Sequence, residues 1–175
     1  MNILVWTASP RKGSNTDQLA DAFAEGAREA GHQVTVRHTY DYQVAPCLAC
    51  GYCRKHDGVC VQKDDMNALL DDIAAADALV IASPVYWFDV TAQAKCFIDR
   101  IYAHGEKGFA IKKAAYLLVS ASPDVYTAAR AQLHDLCNYL KWENGGTFEA
   151  PGVGGRGEIA DTDYLQDARD FGRAF

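Results

Sequence analysis

Thr7-Ala-Ser-Pro-Arg-Lys-Gly-Ser-Asn-Thr16 is a short polar stretch between two apolar patterns of different period. Before it, Met1 to Trp6 reads as a buried strand, with Ile3, Leu4 and Val5 in a continuous run. After it, Leu19, Phe23, Ala27 and Ala30 recur at helical spacing, which predicts a helix starting near Asn15 or Thr16. A strand that turns through Gly and hydroxyl residues into a helix N-terminus suits an anion. The first helical N–H groups lack internal partners, and the helix dipole favours negative charge there. Ser9, Ser14 and Thr16 add hydroxyls, Arg11 and Lys12 add charge, and Gly13 permits close backbone approach. Asn15 followed by Gln18 also resembles a capping box, so an ordinary strand-to-helix turn would account for Asn15 alone. It would not account for the hydroxyls and cations together. No G-x-x-x-x-G-K-[ST] run is present, and the short loop fits a monophosphate better than a triphosphate.

Outward from this loop, strand and helix patterns alternate. Helix one should stop at Gly31, and Gln33-Val-Thr-Val-Arg-His38 alternates as an edge or half-buried strand would. From Tyr40 to Lys63 the periodicity vanishes, and four of the six cysteines fall there. Asp64 or Asp65 should cap a helix carrying Met66, Leu69, Leu70 and Ile73. Ala78-Leu-Val-Ile-Ala82 and Ala114-Ala-Tyr-Leu-Leu-Val-Ser-Ala121 read as strands buried on both faces. Helices are expected from about Thr91 to Ala103, Val125 to Trp142 and Asp163 to Ala174, with a last strand at Gly145 to Ala150. Five strands alternating with five helices predict one α/β domain over residues 1–175, a doubly wound parallel sheet in the flavodoxin order 2-1-3-4-5. Ligands of such sheets sit beyond the strand carboxyl ends, at the switch point between strands one and three.

The other side of that switch point is Ser83-Pro-Val-Tyr-Trp-Phe88. One aromatic here could simply cap the core; three in a strand-end loop, which normally faces solvent, suggest a wall for a planar ligand. Val85 to Phe88 could supply amide donors as well as apolar surface. A phosphate loop beside an aromatic wall suits FMN.

Several motifs together resemble the flavodoxin-like NADPH-dependent FMN reductase family. They are Ser9-x-Arg-x-x-Ser-Asn-Thr16, Asp64-Asp-Met66, Ser83-Pro-Val-Tyr-Trp87, Lys95 and Asp99-Arg100. The resemblance implies that Ser9, Arg11, Ser14, Asn15 and Thr16 hold the FMN phosphate. It implies that Pro84, Val85, Tyr86, Trp87 and Phe88 face the isoalloxazine, with Ser120, Ala121 and Ser122 on the remaining side. The implied activity is electron transfer through FMN, from NAD(P)H or another carrier to an acceptor such as a quinone or flavin. The implied assembly is a homodimer or homotetramer.

Cys47-x-x-Cys50-x-x-Cys53, followed by Cys60, is similar to the cysteine motif of the iron–sulfur flavoprotein subgroup. Four closely spaced thiolates can hold a [4Fe–4S] cluster fed by a carrier such as ferredoxin. A Cys₄ zinc site and a loop of reduced thiols are the alternatives. Cys96 and Cys137 lie among apolar neighbours on helices and read as core. Without a cluster, the chain reads as an NAD(P)H-dependent FMN, quinone or azo reductase. Readings further from this are a flavodoxin-like electron carrier without substrate turnover and a zinc-stapled regulatory module.

Other signals are weaker. Gly152-Val-Gly-Gly-Arg-Gly157 matches G-x-G-x-x-G, yet only one helix follows it, leaving no room for a second strand and its acidic residue. It reads as a flexible loop at the last strand end, near the flavin at most. The five histidines show no metal-ligand spacing and read as surface or loop residues. Lys95, Asp99 and Arg100 read as structural or subunit contacts rather than flavin contacts. A net charge of −6 without basic runs argues against nucleic acid. No apolar run approaches a membrane span, and no basic segment precedes an apolar one at the N-terminus. A cytoplasmic location is expected, where thiols stay reduced.

Overall fold

A computed structural model describes all 175 residues. Five parallel strands pair in the order β2-β1-β3-β4-β5: β1 (Asn2–Thr7), β2 (Gln33–His38), β3 (Ala78–Pro84), β4 (Lys113–Val119) and β5 (Glu143–Ala150). The order reverses between β1 and β3, which run side by side with Leu4 opposite Leu79 and Thr7 opposite Ala82. Their carboxyl ends therefore deliver residues 8–16 and 84–91 to one edge of the sheet.

Alternation along each strand divides the core into two layers. Leu4, Trp6, Leu79, Ile81, Tyr116 and Leu118 face helices α3 (Met66–Ala75), α4 (Ala92–Gly105) and α5 (Thr127–Leu140). Trp6 stacks on Phe97 with centroids 4.5 Å apart, although its indole N–H finds no partner. Ile3, Val5, Val80, Ala82, Ala115 and Leu117 face α1 (Asn15–Glu29) and α6 (Tyr164–Ala174). These two helices touch backbone to backbone. A Cβ on Gly26 would stand 1.8 Å from the Arg169 carbonyl oxygen, and one on Gly172 would stand 2.1 Å from that of Phe23. No helix is long and apolar enough to cross a membrane.

Three short elements were not suggested by periodicity: the single-turn helix α2 (Tyr52–Lys55) in the cysteine segment, and 3-10 turns at Thr39–Asp41 and Glu158–Asp161. The cysteine segment is stapled at its base. Gln43 N–H donates to Asp65 (2.7 Å), Ala45 N–H donates to Asp64 (3.0 Å), and Asp65 N–H returns to the Gln43 carbonyl (3.1 Å). Asp65 stands at the N-cap of α3 as expected, but its side chain makes no cap bond and serves this staple instead. Arg100 on α4 completes it. Its side chain is 1% exposed, and its guanidinium grips both Asp64 oxygens (2.6 and 2.8 Å) and the Ala45 carbonyl (2.9 Å). Arg100 is thus an internal anchor, whereas Lys95 and Asp99 form an exposed pair one helical turn apart.

Candidate functional site

The first turn of α1 is built by a reciprocal cap. Ser14 Oγ accepts the Asp17 N–H (3.1 Å), while the Asp17 carboxylate accepts the Ser14 N–H (3.1 Å). The box therefore uses Ser14 and Asp17, not Asn15 and Gln18. Asp17 is buried and also accepts from the Thr7 hydroxyl at 2.8 Å. His38 Nδ1 lies 2.9 Å from that hydroxyl, so His38 belongs to the underside of the loop rather than to the open surface. With Gly13 at φ +65°, a conformation that strains other residues, the chain turns so that four N–H groups find no acceptor within the protein. These are the amides of Lys12, Gly13, Asn15 and Thr16.

Those donors border a cleft of about 640 Å³, mouth included, beyond the carboxyl ends of β1, β3 and β4. Its lining brings together Ser9, Arg11, Ser14, Asn15, Thr16, Pro84, Val85, Tyr86, Ser120 and Ala121 from the residues that the sequence nominated. The Thr16 hydroxyl has no protein partner. Two arginines line the cleft and no carboxylate does, so its polar chemistry is that of an anion receptor.

Other nominated residues stand elsewhere or are occupied. Trp87 and Phe88 are 92% and 60% exposed and lie outside the lining, as does Ser122. Both aromatics have positive φ, 50° and 72°, at the centre of a tight turn in which Tyr86 and Asp89 exchange N–H···O bonds. A turn of that hand throws the two rings outward. The Val85 and Tyr86 amides are engaged by the Val119 and Asp89 carbonyls at 2.8 and 2.9 Å, leaving Pro84, Val85 and Tyr86 as an apolar wall rather than a donor array. The Ser120 hydroxyl donates to the Ser122 carbonyl (2.6 Å) and receives the Tyr126 O–H (2.5 Å), so it is also internally satisfied.

The last wall was not nominated. Val153, Gly154, Gly155 and Arg156, from the loop after β5, close the cleft opposite the aromatic turn. Asn15 clasps that loop with both ends of its amide, donating to the Gly155 carbonyl (2.7 Å) and accepting from the Gly157 N–H (2.8 Å). Its side chain therefore positions the wall, and only its backbone amide is free for a ligand. The usable signal was the position of Gly152–Gly157 at a strand carboxyl end, not its likeness to a dinucleotide fingerprint.

The cysteines are not gathered. Cys47 and Cys50 are exposed, Cys53 and Cys60 are partly buried, and no three Cys, His, Asp or Glu side chains converge on a common point. The Cys47 sulfur instead receives the Ala49 N–H at 3.4 Å. Four thiols are suitable donors for a cluster or zinc, but this loop geometry does not fit either. Burial pushes the Cys137 thiol up to about 11 and raises that of Cys96 as well, in keeping with core positions.

Fold and cleft together define a flavodoxin-like protein with an anion-receptive switch point. The chain belongs to the NADPH-dependent FMN reductase family, whose family model matches residues 1–147. It is 39% identical over 112 residues to an iron-sulfur flavoprotein of Methanosarcina thermophila, a match covering 64% of this chain and 58% of the relative. The chain spans about half the length of the curated relatives it matches. Among solved structures, it superposes on an NAD(P)H:quinone oxidoreductase from Methanothermobacter marburgensis with a TM-score of 0.79 at 24% identity, covering 99% of this chain and 96% of that one. An FMN-dependent NADH-azoreductase from Bacillus anthracis, solved in complex with FMN, gives 0.73 at 17% identity and 99% coverage of both chains. At these identities the superpositions establish the fold.

Proposed function

We propose that the chain is an FMN-dependent oxidoreductase that takes electrons from NAD(P)H and passes them to a small acceptor such as a quinone or flavin. The observation that carries this reading is the cleft itself, in which an array of phosphate-type donors faces an apolar wall across the β1/β3 switch point. Family membership and the FMN named in a solved relative support it. Residues of the Ser9–Thr16 loop would hold the phosphate, with Pro84, Val85 and Tyr86 beside the ring system. Bound FMN supplies hydride and single-electron chemistry. The chain's own part is to orient the ring, shield one side from water and leave the mouth open to reductant and acceptor. No side chain need act as nucleophile or general base.

The test is oxidation of NADH and NADPH by the FMN-loaded protein, with and without a quinone. Acceptor-dependent oxidation is expected; a chain that binds FMN but oxidises neither nucleotide would instead take its electrons from a protein carrier. A second reading adds an iron–sulfur centre on Cys47, Cys50, Cys53 and Cys60, fed by a carrier such as ferredoxin. It is supported by the spacing of four thiols within one stapled loop and by the names of relatives. It requires that loop to close around the cluster. Iron and acid-labile sulfide near four per chain after anaerobic purification, as a [4Fe–4S] centre demands, would support it. Their absence would leave the cluster-free reductase. A homodimer or homotetramer and a cytoplasmic location remain part of the proposal.

A further inference from the structure

Six of the nine arginines pair with a carboxylate within 4.0 Å: Arg37, Arg54, Arg100, Arg130, Arg169 and Arg173. Of the other three, Arg28 donates to the Val34 carbonyl, well away from the cleft. The remaining two, Arg11 and Arg156, both line the cleft. In a chain of net charge −6, two guanidiniums left without an acid beside one cleft leave their charge for a ligand.

Arg11 lies on the phosphate loop, but Arg156 lies beyond residue 147, outside the segment that matches the family. Its placement is specific. One of its five N–H donors reaches the Lys12 carbonyl at 2.8 Å, across the turn at Gly13, whose Cβ position is 3.7 Å from Nη2. The nearby acid Glu158 is turned onto the Gly154 and Gly155 amides (3.0 and 2.6 Å), and does not neutralise Arg156. Asn15 holds the same loop against α1, so the guanidinium is docked beside the free N–H groups of Lys12, Gly13, Asn15 and Thr16.

We infer that Arg156 is a phosphate-binding residue, the second cationic jaw of a clamp whose first jaw is Arg11. It selects a flavin phosphate monoester over the uncharged flavin. This rests on the FMN reading above and assigns within it a ligand that the family segment does not supply. A guanidinium on a phosphate dianion makes charge-assisted, geometrically fixed bonds, whereas riboflavin in the same cleft offers it no partner charge.

The test titrates wild type, Arg156→Gln and Arg156→Lys with FMN and with riboflavin, following flavin fluorescence at low and high salt. Melting temperatures serve as a fold check. Arg156→Gln should weaken FMN about tenfold to a hundredfold, the range for a bond between charged groups, and leave riboflavin within about twofold. Arg156→Lys should fall between, and added salt should narrow the gap between wild type and Arg156→Gln. Unchanged FMN affinity in Arg156→Gln, with wild type binding FMN, overturns the inference alone. Equal weakening of both flavins also overturns it, because Arg156 would then be a strut for its loop. If wild type binds neither flavin, the cofactor reading fails and the clamp falls with it.

Discussion

Asp64 shows how much one side chain can hold at once. It takes both arms of Arg100, caps the Met66 N–H at 3.3 Å and receives the Ala45 N–H, fixing the cysteine loop to α4 and α3. With Arg100 1% and Asp64 14% exposed, removal of the acid strands a buried cation, which typically costs about 3–5 kcal/mol. Asp64→Ala should therefore lower unfolding free energy by about 3 kcal/mol in a denaturant titration; a loss below about 1 kcal/mol would contradict this anchor. Arg100 also holds the Asp64 carboxyl below its ordinary 3.8, so the sign of the pH effect is fixed. The folded value lies below the unfolded one. The contribution is complete above about pH 4 and disappears as pH falls through the folded value. The stability gap between wild type and Asp64→Asn should accordingly shrink in acid and stay constant from neutral pH down to about 5. Residue types were legible here and their partners were not. Asp64, Arg100 and Asn15 all stood in recognisable motifs, but which loop carbonyl or amide each one meets depends on loops brought together from 19 to 142 positions away. His38 is the same case, since nothing in its strand announces the Thr7–Asp17 pair beneath it.

At the scale of elements, the sequence predicted every strand, because apolar runs bounded by turn residues leave little freedom in a doubly wound sheet. What pattern could not supply was contact between backbones. Gly26 and Gly172 sit inside helical periodicity, where glycine merely costs helix stability, yet each is where the opposing helix backbone lies. Gly172→Ala should force α1 and α6 apart and destabilise the protein by about 1–3 kcal/mol, despite alanine's better helix propensity. A rise in melting temperature would show that the helices have slack. The Tyr86–Asp89 turn gives the opposite sign. Trp87 and Phe88 occupy left-handed backbone, at about 1–2 kcal/mol per residue, where Asn-Gly is the relaxed choice. Replacing Trp87-Phe88 with Asn-Gly should raise the melting temperature; no rise would mean the exposed rings stabilise the turn by contacts of their own. Sequence carries no sign of the turn's hand, which leaves half-exposed Tyr86 on the rim of the cleft and turns Trp87 and Phe88 away from it.

Over the whole molecule, an acidic chain places two of its three guanidiniums without an acid partner, Arg11 and Arg156, beside the free amides of the α1 N-terminus. Cysteine exposure is distributed just as unevenly. Cys47 and Cys50 should react with iodoacetamide well before Cys137, whose buried thiol is pushed up to about 11; early labelling of Cys137 in folded protein would contradict the packing of α5. The switch point was legible from strand order, and so was its ligand class from the loop after β1, since both follow from local chemistry. The fourth wall was legible only as a loop at a strand carboxyl end; that Gly154, Gly155 and Arg156 line the cleft depends on the Asn15 clasp, made across 140 positions. Whether this cleft takes FMN can be read from one visible absorption spectrum. The protein is incubated with FMN, passed through a desalting column and scanned. About one flavin per chain should travel with the protein, its bands shifted from those of free FMN as expected for a ring moved from water against an apolar wall. Flavin eluting entirely with the small molecules, from protein that is folded by its melting curve, would contradict it.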